Sequence, residues 1–340
     1  MKDHLHIARR TQPEDDAELR QLMRETWQDG AIKLGMEKEP RFVQSDSDIV
    51  IVRHRLTGSV SGCGSRKDRL LWLHGREQQV AYLGDLRVHP THRRLTGRVL
   101  QAGFQQLAQW QLEKPAAMTF TAIFSDNHQA LSALTHERLG LPKYVPAGKL
   151  HTSAFLLPCR IRPIEDTAPD LEAASAYLNA QKRDLSAVMT PCLLAEMADL
   201  CVLTEQGRVI GVAALADRSS HQQMRVHGYG RSLSLANRLL QLIGYRGLPK
   251  AGEIFRTLFV AHLAARDAST AKQLLHRLRR KATQRGAHAL LLTQHECDPM
   301  LSLQRSALAV RSSGRLYQVA WPGQTSLNAL SNPQVEGYWL

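Results

Sequence analysis

The stretch Tyr82-Leu-Gly-Asp-Leu-Arg-Val-His-Pro-Thr-His-Arg-Arg-Leu-Thr-Gly-Arg-Val-Leu100 changes character twice in a short span. Val80–Val88 reads as a strand that ends at Val88-His89-Pro90. A turn rich in His and Arg follows, and it opens onto a helix. That helix carries Val99, Leu100, Phe104, Leu107 and Trp110 at helical spacing. A helix N-terminus leaves backbone N–H groups unpaired and carries partial positive charge, which makes it an anion site. Gly97 lets the backbone approach an anion closely, and Arg93, Arg94 and Arg98 add charge. The arrangement suits a pyrophosphate.

Strand and helix signals alternate on either side of this stretch. Upstream, His4–Arg10 is a short strand, followed by a helix through Leu19, Leu22, Met23 and Trp27. Asp48–Arg55, with Ile-Val-Ile-Val at its centre, is a buried strand, and Gly58–Gly64 and Leu70–His74 form the next strand or strand pair. Downstream come a strand at Ala116–Phe124, a helix at Asn127–Arg138 and a strand pair within Tyr144–Leu157. After a junction at Pro158–Pro163 the order starts again. Strands are expected at Cys159–Ile164, Leu200–Thr204, Val209–Leu215, Ile254–Leu263, Ala287–Thr293 and Arg315–Trp321, and helices at Pro169–Leu178 and Thr270–Arg285. The chain therefore reads as an α/β (α+β) protein of two domains, 1–157 and 158–340. Each is a mixed, mostly antiparallel sheet flanked by helices, and the recurrence suggests a tandem duplication.

Composition narrows the function. The chain has 340 residues, enough for two cores of ordinary size, and its hydrophobic (43%) and charged (22%) fractions are those of a globular protein. It has no run of eighteen apolar residues and no apolar segment near its start, so neither a membrane span nor a secretory signal is expected. Five scattered cysteines without CxxC spacing favour free thiols in a reducing compartment, and a cytoplasmic location is expected. The net charge is +13, and nearly all of it gathers between Arg218 and Arg285, where fourteen Lys and Arg face two acids. Such asymmetry points either to an anionic partner or to a solubilising surface.

The quoted stretch resembles the acetyl-CoA signature of the GNAT (GCN5-related N-acetyltransferase) superfamily, a strand ending in V-x-P followed by [QR]-x-x-G-x-[GA]. Arg94-Leu95-Thr96-Gly97-Arg98-Val99 matches at Arg94 and Gly97 and departs at Val99, and the loop after Pro90 is too long by one residue. Asn127-His-Gln-Ala130 with Leu139-Gly140 is similar to the superfamily's N-x-x-A…L-G segment. The resemblance covers about residues 4–157. It implies acetyl-CoA or another acyl-CoA as co-substrate and no metal. The donor would be bound by backbone groups around Leu86, Arg87 and Val88, by the Arg93–Val99 loop, and by Asn127. It also implies N-acyl transfer by direct attack of an amine, with a carboxylate as base. Asp85 matches that position; its alternative role is a strand-end acid paired with Arg87 or Arg93. The superfamily's late-helix Tyr has no counterpart, and His136 is the candidate to protonate the leaving thiolate.

In the second half the equivalent loop, Val260 to Thr270, has neither glycine nor V-x-P. It reads as a degenerate GNAT-like domain carrying a basic insertion around 218–253. Within that insertion Ser232–Gly244 is a basic amphipathic stretch that either packs on its own domain or meets an anionic membrane or acidic protein. His295-Glu-Cys-Asp298 are ligand-type residues, but alternate residues of a strand point to opposite faces, so they cannot all meet one ion. The expected acceptor is a small-molecule amine, an anionic one if the basic half faces it. Two rivals stand beside this reading: a long acyl chain as donor, delivered on an acidic acyl carrier protein, and a non-catalytic basic binding protein. Nucleic acid is not expected, because no zinc finger, helix-turn-helix or aromatic-interleaved basic motif occurs. Oligomeric state is not legible.

Overall fold

In the computed structural model the described residues are 6–26, 32–37, 47–136, 141–159, 168–219, 223–230, 237, 244–324 and 328–340. Trp27, the Leu139-Gly140 pair, most of the expected strand Cys159–Ile164 and nearly all of the amphipathic stretch 232–244 lie outside them. The elements in chain order are β1 (His6–Arg10), α1 (Asp16–Glu25), β2 (Ile32–Glu37), β3 (Asp48–His54), β4 (Val60–Leu73), β5 (Arg76–Val88), α2 (Thr96–Glu113), β6 (Met118–Phe124), α3 (His128–Thr135) and β7 (Lys143–Leu156). They continue with α4 (Leu171–Gln181), α5 (Pro191–Ala195), β8 (Asp199–Glu205), β9 (Arg208–Ala216), β10 (Gln223–Tyr229), β11 (Thr257–Ala265), α6 (Ala268–Gln284), β12 (Ala289–His295) and β13 (Ala309–Ala320).

Two compact units result, and neither is continuous in sequence. The first comprises 1–70, 78–148 and 315–329; the second comprises 71–77, 149–314 and 330–340. The second half of β13 belongs to the first unit, and the hairpin tip at 71–77 belongs to the second. There the Trp72 amide donates to the Ser186 carbonyl and the Leu185 amide to the Trp72 carbonyl. Periodicity marks where strands are, not which neighbour they join. Of the two alternatives for Gly58–Gly64 and Leu70–His74 the single strand is formed, as β4, and the strand pair expected within Tyr144–Leu157 is one strand, β7. Gly148 lies within a continuous strand at φ 110°, a conformation glycine tolerates.

In the first unit the strand order is β1-β3-β4-β5-β6-β13-β7. β1/β3 and β3/β4 are antiparallel, while β5/β6 is parallel. The Ile-Val-Ile-Val run is buried on both faces because helices cover both. Ile49 and Ile51 pack with Leu19, Leu22 and Met23 of α1, and Val50 packs with Leu100, Phe104, Leu107 and Trp110 of α2. Asp15, at the entry to α1, is 1% exposed and accepts from Arg9 and Arg53 at 2.7 Å each and from the Gln12 amide at 2.8 Å. Burial opposes its ionisation, but those hydrogen bonds hold its carboxyl below the usual range.

The second unit has the order β7-β12-β11-β9-β8, with β11/β12 parallel and the remaining pairs antiparallel. Its main core joins the buried faces of β11, β12 and α6 through Leu258, Val260, Leu274, Leu275, Leu278, Leu290 and Leu292. The β8–β9 turn places Gln206 and Gly207 at φ 50° and 76°, the twist a tight hairpin needs. Much of the basic excess is engaged inside this unit. Lys281 and Arg285 both meet Asp199, Arg266 pairs with Glu205 and Asp267, and Arg246 donates to the Gly286 carbonyl.

Removing the Asp15 carboxylate would leave two guanidinium groups without their buried partner. Asp15→Ala is expected to lower unfolding free energy by about 2–3 kcal/mol, measured by urea denaturation.

Candidate functional site

The parallel pair β5/β6 is short. Val80, Ala81 and Tyr82 stand opposite Met118, Thr119 and Phe120, where the paired register among the described residues ends. Beyond it the Thr121 hydroxyl donates to the Leu83 carbonyl, and β5 runs on to Val88. Asp85 lies on this extension at φ 54°, a left-handed conformation that non-glycine residues seldom adopt. The strand therefore turns its peptide groups away from regular pairing where it leaves β6. Asp85 to Val88 are half-buried.

One of the two glycines of β4 that face this course, Gly62, makes room for it. A Cβ on Gly62 would sit 2.6 Å from the Arg87 carbonyl oxygen and 2.9 Å from Val99 Cγ1. A Cβ on Gly64 would meet Val50 and Leu86 at ordinary contact distance. Val99, the residue that departs from the family pattern, is buried against Gly62 as part of the α2 core.

After Val88 the chain makes a 3-10 turn, Pro90–Leu95, and then enters α2. The turn is anchored at its start. The His89 amide donates to the Ser61 carbonyl at 2.8 Å, and its ring meets Glu25 at 3.0 Å and the Thr91 hydroxyl at 2.7 Å. The first turn of α2 carries no acid, and its N-cap residue, Leu95, makes no side-chain cap. Thr96 donates its hydroxyl to the Arg93 carbonyl, while Arg93, Arg94 and Arg98 are exposed and Gly97 is half-buried. An uncapped helix start with three guanidinium groups around it is a strong place for an anion.

Asp85 does not pair with Arg87 or Arg93. Its carboxylate accepts from Ser65 at 3.0 Å and stands 4.0 Å from the Lys67 ammonium, both on β4. Ser65 and Lys67 are buried and were missed in the sequence. Their alternation in Ser65-Arg-Lys67 shows a shared face but not that Asp85 lies across from it. Arg87 turns back to the Leu86 carbonyl. Asn127 caps α3, accepting from the Ala130 amide at 3.1 Å, and is half-buried. His136 is exposed at the other end of that helix, its ring Nδ1 at 2.8 Å from the Ser132 carbonyl.

A histidine cluster flanks the turn. The His6, His54 and His92 rings lie 5.5–5.8 Å apart. His6 is 5% exposed, and neither ring nitrogen has a hydrogen-bond partner. Burial first, then the charges of His54, His92 and Arg98, lower its pKa; burial, His54 and His89 lower that of His92. Among the described residues no group of three or more ligand-type side chains is arranged to hold a metal. Nor is any described helix long and apolar enough to cross a membrane.

With this geometry in view, the architecture is a GNAT-like α/β fold. Two solved structures of Saccharomyces cerevisiae N-myristoyltransferase with bound myristoyl-CoA share it. One aligns with 98% of this chain and 83% of its own at 9% identity and TM-score 0.59. The other aligns with 96% and 86% at 10% identity and TM-score 0.58. A GCN5-related N-acetyltransferase from Kribbella flavida aligns more loosely, at 14% identity and TM-score 0.47, over 94% of this chain and 72% of its own. No family model and no curated protein matches the sequence.

Because the native state holds His6 and His92 neutral, it binds fewer protons than the unfolded chain below 6.5, the ordinary histidine value. Their stabilisation is present above that pH and is lost as pH falls through their lowered native pKa values. The urea midpoint is therefore expected to drop between pH 7 and pH 5, and His6→Phe should flatten that drop.

Proposed function

We propose that the first unit binds an acyl-CoA and that the protein transfers the acyl group to an amine. One observation carries the reading. Strand β5 leaves β6 at a left-handed Asp85 and leads directly into an arginine-rich turn and an uncapped helix start. The backbone of Leu86–Val88 supplies hydrogen bonds to an extended pantetheine arm, as an added strand would receive them. The α2 N-terminus and Arg93, Arg94 and Arg98 receive the pyrophosphate. Val99 is no obstacle to this, because its side chain points into the core.

In the transfer, the amine nitrogen attacks the thioester carbonyl carbon, the C–S bond breaks, and CoA leaves as its thiolate. The amine proton passes to Asp85, directly or through one water. Ser65 and Lys67 hold that carboxylate in place. His136 is the candidate acid for the thiolate. The second unit, in this reading, is a further GNAT-like domain without a donor of its own.

A long-chain acyl donor is the second reading, favoured by the likeness to structures holding myristoyl-CoA. A carrier protein gains less support, since several of the basic residues between Arg218 and Arg285 are already engaged within their own unit. Myristoyl-CoA and acetyl-CoA, compared side by side, separate the two chain lengths.

Calorimetric titration with CoA and acetyl-CoA is expected to give micromolar affinity. Gly97→Glu, which sets a carboxylate in the anion site, should weaken it at least about 20-fold without unfolding the chain. Absence of binding by the wild-type protein would reject the reading. Once an acceptor is found, Asp85→Asn should lower kcat by about 10²–10⁴ and leave CoA affinity within about twofold.

A further inference from the structure

The two units share details that their residue identities conceal. In the first, three parallel pairs end at Tyr82 and Phe120, and Asp85, three residues on, has φ 54°. In the second, three parallel pairs end at Phe259 and Leu291, and His262, again three residues on, has φ 52°. Each strand then ends three residues later, at Val88 and at Ala265. The neighbouring strand carries a glycine in each case. A Cβ on Gly62 would meet the carbonyl of Arg87, two residues past Asp85, and Val99 in the first turn of α2. A Cβ on Gly211 would meet the carbonyl of Ala264, two residues past His262, and Thr270 in the first turn of α6. Such matched strain and matched close approach mark the same construction twice.

The groups that would receive a donor in the second copy already have partners within the unit. The N-terminus of α6 is capped by Asp267, whose carboxylate accepts from the Thr270 amide at 2.8 Å and from its hydroxyl at 2.9 Å. These bonds, with Arg266, pull its pKa down to about 2, so the anion at this helix start is the chain's own. Where β9 pairing shifts between Ala261 and Ala264, the His262 amide donates to both carboxylate oxygens of Glu336 at 3.1 Å. Tyr338 meets the His262 ring Nε2 at 2.9 Å, and Gln334 donates to Glu336 at 3.0 Å. Gly337 passes close to β12, where a Cβ would lie 2.4 Å from Thr293 Oγ1. His262 and Thr293 are both beyond the last parallel pair. The short turn Gly337–Trp339 is therefore a wedge between the parting strands, and Val335, Glu336 and Trp339 are buried in doing so.

We infer that the second unit is an internal copy of the first whose donor cleft is closed from within. Asp267 stands where the phosphates would be received, and residues 335–339, latched to His262, stand where the pantetheine arm would lie. The cleft is a strand-end site occupied by this chain's own C-terminal segment, and each chain holds one donor. The stoichiometry rests on the donor reading of the first unit; the wedge does not.

Hydrogen exchange on the full chain tests the wedge without any ligand. The wild-type His262 amide is expected to exchange as slowly as the paired amides of Leu258–Val260. Glu336→Ala should speed it at least about tenfold while β8 and β9 keep their protection. Exchange of wild-type His262 at the rate of an open loop overturns the wedge, whether or not the variant folds. In a titration with CoA the wild-type chain should bind one equivalent, and two equivalents overturn the closed second cleft. If CoA does not bind at all, the donor reading of the first unit fails, and the exchange result still decides for or against the wedge.

Discussion

A parallel strand pair that separates after three residues leaves peptide N–H and C=O groups that need partners, and buried peptide groups are rarely left without them. This constraint governs both units. In each, a residue forced to positive φ turns the strand away, and a glycine opposite lets the next helix begin low against the sheet. The result is a backbone edge next to a helix N-terminus. One edge of this kind lies under Arg93, Arg94 and Arg98; the other is filled by Glu336 and Asp267.

The surrounding cores make the strained positions tolerable. β3 is held between α1 and α2 by alternate residues, and β4, with its glycines, is fixed against it from Asp48/Arg66 through Arg53/Val60. A left-handed non-glycine residue costs about 1–3 kcal/mol, and it persists only where packing on every side determines the backbone. Asp85 adds a hydrogen bond to Ser65 from that position, and His262 adds one to Tyr338. The strained residues are thus also the ones that hold neighbouring side chains in place.

Much of this is legible from residue pattern. The buried Ile-Val-Ile-Val strand, the helix that carries Val99 to Trp110, the helix that begins near Asn127 and the main helices and strands of the second half follow from periodicity and end signals. The Arg94/Gly97 spacing marks the proposed anion site for a local reason, since a turn and the helix it opens are neighbours in sequence. What the pattern does not carry is non-local. Nothing in Ser65 or Lys67 names Asp85 as their partner, and nothing in Arg315–Ala320 says it returns to the first unit. The equivalence of Asp85 and His262 is invisible because a backbone angle is shared while the side chains differ. Asp267 and Glu336 read as ordinary acids until their partners are known.

The most direct measurement is the footprint of CoA on backbone amide exchange across the full chain. The account predicts slowed exchange at Asp85–Val88 and Thr96–Val99, with His262–Ala265 unchanged. Protection confined to the second unit, or spread evenly over both, would contradict it.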